Sequence, residues 1–242
     1  VSFETYRKDG PENHIVWNVA TGEAVLKFTQ KSDLTSSTHS LIQWTADEKY
    51  VCVLAPGEVK VYDGQNPSNY IARAQHGKVN SFLVSPANKD GEYSVAMFSP
   101  VQGTAPAKIA VYKVHEVAAG KTTLPPPPPP SPADIACGRV KLSQIPKEGK
   151  TVPLQPTATL SFFKANEANF AWHNNGLSLL IRTSADDATG QSYYGESRLY
   201  FLQADNSFNC TVSFGANPGP IHDVAWSPRH LEFTTLQGEA KA

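Results

Sequence analysis

Cysteine is scarce in this chain, and the shortage narrows the field at once. Only Cys52, Cys137 and Cys210 occur in 242 residues. An odd number so widely spaced builds no disulfide framework and suits a reducing compartment, so a cytoplasmic location is expected. Without any Cys-x-x-Cys pair, a structural zinc site has no starting point. No apolar run approaches the roughly 18 residues that a membrane-spanning helix needs. Excess charge of either sign is also missing. The formal net charge of −1 argues against a strongly basic nucleic-acid-binding domain, although it leaves room for a local patch. Asn209-Cys210-Thr211 has the form of a glycosylation acceptor. With no signal peptide in this sequence, it reads as a chance match. No Met precedes Val1, and the chain is expected to be processed or to be a piece of something longer.

Catalytic motifs are absent as well. Ala118-Ala119-Gly120-Lys121-Thr122 resembles the end of a phosphate-binding loop, but the motif's earlier glycine is replaced by His115, and prolines follow instead of a helix. His115-Glu116 would open a zinc-protease helix only if a second histidine stood at position 119, which is Ala119. No Gly-x-Ser-x-Gly elbow occurs. His222-Asp223 lies just before a strand and suits hydrogen bonds between strands better than acid–base work. Asp186-Asp187 falls in a polar loop and is expected to be solvated. No enzyme, cofactor or metal is expected.

What the sequence does have is a repeat. An apolar residue, an aromatic and a polar residue close an extended run at Val16-Trp17-Asn18, Val61-Tyr62-Asp63 and Val111-Tyr112-Lys113, with a looser copy at Leu199-Tyr200-Phe201. A second phrase, ending in a turn, runs out of phase with the first. Its copies are Trp44-Thr45-Ala46-Asp47, Val84-Ser85-Pro86, Trp172-His173-Asn174-Asn175 and Trp226-Ser227-Pro228. Successive aromatics of the first phrase lie 45, 50 and 88 residues apart. Repeats of about 40–50 residues with a Trp-Asp-like dipeptide mark the blades of a β-propeller.

The alternation of β-branched and aromatic residues between turn signals divides the chain into units. Leu41–Trp44, Tyr50–Leu54 and Glu58–Tyr62 make one; Val79–Val84, Tyr93–Phe98 and Lys108–Val114 make the next. Ala168–Trp172, Leu177–Arg182 and Ser197–Leu202 make a third. A partial unit precedes them, with His14–Gly22 as a strand running into a tight turn and Val25–Phe28 beginning the next strand, and a fourth unit opens at Pro220 and runs out at the C-terminus. The expected fold is therefore all-β: over residues 1–242, a WD40-like β-propeller in an incomplete arc of about four blades. Its blades are four-stranded and antiparallel, and helix is confined to short turns. Trp44, Trp172 and Trp226 should occupy equivalent places and pack between blades. Such an arc should have unpaired strand edges, which invite pairing with other chains.

Residues 116–156 interrupt the pattern between the second and third full units. The six consecutive prolines Pro125–Pro130 cannot join a sheet and favour an extended polyproline II conformation. A long disordered loop inserted between blades is expected there. It could act as a spacer or as a ligand for a proline-recognising domain. Arg139, Lys141, Lys147, Lys150 and Lys164 make the stretch after it locally basic against Glu148.

The passage most specific to this chain joins Leu160-Ser161-Phe162-Phe163-Lys164-Ala165, Trp172 and Ser184-Ala185-Asp186 to Gly190-Gln191-Ser192-Tyr193-Tyr194-Gly195-Glu196. It resembles the propeller of the eukaryotic translation initiation factor 2A family. Val61-Tyr62-Asp63, Lys78–Pro86 and Gly219–Trp226 fall in the family's order. The resemblance implies binding to the small ribosomal subunit and help with initiator-tRNA delivery or start-site selection. It also implies mRNA and other initiation factors as partners, but neither DNA nor membrane. The chain departs from the family pattern at both ends, where blades and the basic C-terminal region are missing, and by the proline insertion. A general WD-repeat scaffold joining proteins is the alternative. Around the specific passage, Lys164, Arg182, Tyr193, Tyr194 and Arg198 are the candidate RNA- or ribosome-binding residues, because aromatics beside cations suit base stacking and phosphate contact. The two tyrosines could equally pin a long hairpin loop to its blade.

Overall fold

The computed structural model describes residues 14–28, 39–67, 69–119, 154–162, 164–185, 196–215 and 219–238. They form five antiparallel sheets in chain order. The first is a pair, β1 (His14–Trp17) and β2 (Ala24–Phe28). Three four-stranded sheets follow: β3 (Ile42–Trp44), β4 (Tyr50–Ala55), β5 (Glu58–Asp63) and β6 (Tyr70–Gln75); β7 (Ser81–Val84), β8 (Ser94–Ser99), β9 (Ala107–Lys113) and β10 (Ala158–Phe162); β11 (Glu167–Trp172), β12 (Ser178–Ala185), β13 (Glu196–Gln203) and β14 (Asn209–Val212). A second pair, β15 (Ile221–Trp226) and β16 (Phe233–Gln237), ends the described chain. Within every sheet the strands follow sequence order. This is the layout of propeller blades: three complete blades with a two-stranded piece at either end.

Both repeated phrases fall where the blade register requires. The first closes the third strands β5 and β9 and lies within β13, and its first copy closes β1. The β1–β2 pair therefore corresponds to the third and fourth strands of a blade. A bulge at the same place supports this: the register shifts between Val16 and Trp17 in β1, and between Val61 and Tyr62 in β5. The second phrase ends the first strands β3, β7, β11 and β15.

Each buried cluster is a seam between neighbouring sheets. Val16 and Leu26 of the first pair meet Ile42, Val51 and Val53. Cys52, Leu54 and Val61 meet Phe82, Val95 and Met97. Phe98, Ile109 and Phe162 meet Phe170, Leu179 and Ile181, and Leu180 and Leu199 meet Ile221. A second strand therefore packs on both faces, which explains why β8, Ser-Val-Ala-Met-Phe-Ser, is buried at all six positions. Burial inside the second seam pushes the Cys52 thiol up to about 12, so it acts as a small apolar core residue. Cys210 is exposed, and Cys137 lies outside the described residues.

Polar ties repeat across these seams. The Trp172 indole donates to the Leu83 carbonyl (3.2 Å), and the Trp226 indole donates to the Ala171 carbonyl (2.7 Å). Both acceptors immediately precede the phrase position of the sheet before. At β7 the phrase carries Val84, which has no indole. The tie between the first two complete blades is instead made by Gln43, whose amide donates to the Phe82 carbonyl (3.0 Å) and accepts from the Val84 amide (2.9 Å). Trp172 is buried, whereas Trp44 and Trp226 are half-buried.

Two sequence expectations change at the insertion. Residues 114–119 form a short helix, α1 (Val114–Ala119). It packs against the neighbouring blade, with Val114 and Val117 in that seam beside Leu154. The segment that leaves β9 re-enters as β10, which pairs with β9 from Ala158↔Val111 to Phe162↔Ala107. The insertion therefore lies inside a blade, between its third and fourth strands, and not between blades. Pro125–Pro130 lie outside the described residues.

His39 binds three blades near the first strands. Its Nδ1 is 3.3 Å from Ser81 Oγ, and its ring stacks on Phe170 at 5.2 Å. Burial, opposed by a backbone hydrogen bond, lowers its pKa below 6.5. The unfolded chain then binds more protons than the folded one below that value, so stability falls as pH drops through the window beneath 6.5. In urea titrations at pH 7.5 and 5.5, His39→Asn should reduce this pH dependence. An unchanged difference would mean that other groups cause it.

Candidate functional site

Sequential antiparallel strands send loops out at two ends only. Links between sheets, and loops from second to third strands, emerge on one side, here called the linker face. Loops from first to second and from third to fourth strands emerge on the other, the turn face. Lys164 and the ends of β12 and β13 that hold Arg182 and Arg198 belong to the linker face. The topology thus gathers Lys164, Arg182 and Arg198 at the linker-face end of one blade and the link that enters it.

The side chains do not form one patch. Leu199 is paired with Arg182, and Thr183 with Arg198. Directly paired residues share a face and successive residues alternate, so the two guanidiniums lie on opposite sides of the sheet. Arg182 turns to the last pair of strands and donates to the carbonyls of Ile221 (3.0 Å) and His222. It also lines a cavity of about 250 Å³ with Asn169, Phe170, Leu180, Leu199 and Asp223. Its guanidinium is spent holding β15 to the preceding blade. Arg198 is exposed but bound to Glu196, with Nε 2.7 Å from Oε1, and Lys164 is exposed on the link between β10 and β11. Tyr193, Tyr194, Asp186 and Asp187 lie outside the described residues.

Other features take structural roles. His222 Nε2 donates to the Gly238 carbonyl (2.7 Å), and Asp223 accepts from the Val224 amide (2.8 Å). Both tie backbone within the last pair. Among the described residues, no group of three His, Cys, Asp or Glu side chains is placed to hold a metal ion. No described helix is long and apolar enough to cross a membrane.

The linker face carries cations that reading along the sequence passes over. Lys78 lies between β6 and β7, and Lys108 is the second residue of β9; both are exposed. Neither is paired with a carboxylate among the described residues. Burial first, and the Lys108 charge second, lower the pKa of His76 beside them. The supporting loops touch in series. Gly57 lies so near Gly77 that a Cβ on it would sit 3.2 Å from the Gly77 carbonyl. Ser99 Oγ donates to the His76 carbonyl (2.6 Å), and the Val101 amide donates to the Ala165 carbonyl (3.3 Å). A continuous strip therefore runs from the β4–β5 turn to Lys164.

Residues 160–242 match the family model described as eukaryotic translation initiation factor eIF2A. A Dictyostelium discoideum protein named eukaryotic translation initiation factor 2A is 30% identical over 228 residues, covering 93% of this chain and 31% of that protein. A Schizosaccharomyces pombe protein of the same name is 29% identical over 229 residues, covering 94% of this chain and 32% of its own length. A solved structure titled "Crystal structure of the eukaryotic initiation factor" superposes with a TM-score of 0.57 at 26% identity, covering 92% of this chain and 43% of the other. The chain thus spans about a third of the length of these curated relatives.

Proposed function

We propose that this chain, similar over more than nine-tenths of its length to eukaryotic translation initiation factor 2A, is a propeller segment of a translation initiation factor that binds the small ribosomal subunit. The observation that carries this reading is the combination of that similarity with a WD40-like blade series. Such blades are rigid platforms, and their loops supply contacts in the manner expected of a factor that docks and orients other molecules. On this reading, the linker face meets the subunit and the protein assists initiator-tRNA delivery or start-site selection in the cytoplasm. Lys164 and Arg198 are its nearest contact candidates, since Arg182 is engaged within the fold.

Co-sedimentation with purified small subunits over a salt series tests the proposal. Binding through RNA phosphates should weaken steeply as salt rises. Charge reversal at Lys164 and Arg198 together should lower the bound fraction severalfold and flatten that dependence. A protein-only scaffold would show no enrichment with subunits even at low salt, which would discard the reading.

A further inference from the structure

Among the described residues, a near-zero net charge conceals a division between the two ends of the sheets. Each charged residue can be assigned to the end nearer its place on a strand or loop. Among the described residues, the linker-face half then holds eight Lys or Arg against four Asp or Glu, and the turn-face half holds four against nine. The excess is concentrated on the strip described above. Its one carboxylate at the β4–β5 turn, Glu58, is already bound by Arg73 (3.1 Å) and Lys60 (3.8 Å). Beyond it stand Lys78, Lys108 and Lys164, all exposed.

The same strip shows what it lacks. The exposed large apolar residues Val19, Phe208 and Leu231 lie on turn-face loops, and Tyr70 and Leu236 lie on outlying strands. A cationic surface without an exposed apolar wedge among its described residues is poorly suited to enter a bilayer. Without an exposed aromatic among its described residues, it is also poorly suited to stack unpaired bases. Exposed ammonium groups on flexible stems, carried by the edges of packed sheets, suit contact with the phosphates of a folded RNA helix.

We propose that the linker-face strip of Lys78, Lys108 and Lys164 binds the phosphate backbone of double-helical RNA without reading its sequence. The proposal rests on the ribosome-binding reading for its biological setting and deepens it by naming RNA, not ribosomal protein, as the surface contacted. Each lysine acts as a point charge that displaces counterions from the duplex.

The test measures binding of the 242-residue chain to a fluorescent RNA hairpin of mixed sequence, an oligouridine strand and phosphatidylserine vesicles, each across a salt series. The hairpin should bind best, and scrambling its paired sequence should leave affinity unchanged. Lys78→Glu with Lys108→Glu should weaken hairpin binding by about tenfold or more at low salt and reduce the slope of log K against log salt by about two. Lys49→Glu with Lys89→Glu, an equal charge change on the turn face, should have little effect. Equal losses from both pairs, or preference for the single strand or the vesicles, would overturn the proposal. Subunit binding that survives the linker-face reversals would also overturn it while leaving the proposed function standing. Hairpin binding that depends on Lys78 and Lys108 without subunit binding would support the RNA site and remove the ribosomal reading.

Discussion

Trp172→Ala is expected to destabilise the chain by about 3–5 kcal/mol, the usual cost of emptying a large aromatic from a packed core. Trp172 is only 9% exposed and packs in the seam between the second and third complete blades. Its indole also reaches the Leu83 carbonyl at 3.2 Å. That carbonyl belongs to a residue paired with Ala96 of β8, so it is not abandoned when the indole is lost. Trp172→Phe should therefore cost much less, about 1 kcal/mol for the tie plus a smaller packing loss. Urea denaturation of both variants separates the contributions, because the midpoint shifts while an unchanged m-value reports the same unfolding transition. Equal, small shifts would show that the seam does not depend on this ring.

Much of the blade order was legible because the two aromatic phrases mark different strands. Val61-Tyr62-Asp63 closes a third strand, whereas Trp172 and Trp226 end first strands. Second strands were equally visible, since packing on both faces demands continuous apolar runs such as Leu179-Leu180-Ile181. Fourth strands were hidden by their exposure. Asn-Cys-Thr-Val of β14 is exposed at three of four positions, so its sequence carries neither alternation nor a hydrophobic run. The misplaced insertion has the same origin. Ala158–Phe162 completes the blade before it by pairing with β9, but the long proline-rich stretch separates it in sequence from the three strands it joins.

The site was less legible because its charge pattern exists only after folding. Lys164 stands out in sequence beside a basic stretch, but Lys78 and Lys108 are far from it and from each other, and each is unremarkable beside its neighbours. Among the described residues, antiparallel reversal brings these lysines to one side and sends most carboxylates to the other, while the total stays near zero. Strand alternation works in the opposite sense on Arg182 and Arg198. They are close in sequence and paired through adjacent positions, yet they point to opposite sides of a sheet. Arg182 is then taken by the carbonyls of Ile221 and His222. Proximity to a distinctive motif could not reveal that use.

Gly176→Ala should give the second large loss, by overfilling the same seam at the turn just beyond Trp172. Gly176 turns the chain between β11 and β12 with φ at 67°, a conformation that costs a side chain about 1–3 kcal/mol. Space is closed as well. A Cβ there would fall 2.6 Å from the Pro86 carbonyl oxygen, 2.7 Å from the Asn88 nitrogen and 2.8 Å from the Ala87 carbonyl carbon. All three are backbone atoms of the preceding blade, held by the Ser85 and Asn88 hydrogen bonds that close the β7–β8 loop. They cannot swing aside as a flexible side chain would, so overpacking should add about 1–3 kcal/mol. Gly91→Ala separates the two causes: Gly91 has φ at 76° with nothing within 4 Å of its added Cβ, and its cost is strain alone. Thermal or urea unfolding should therefore rank Gly176→Ala well below Gly91→Ala in stability. Similar losses would mean that the two blades part enough to admit a methyl group, and the seam would then be looser than the contacts of Trp172 require.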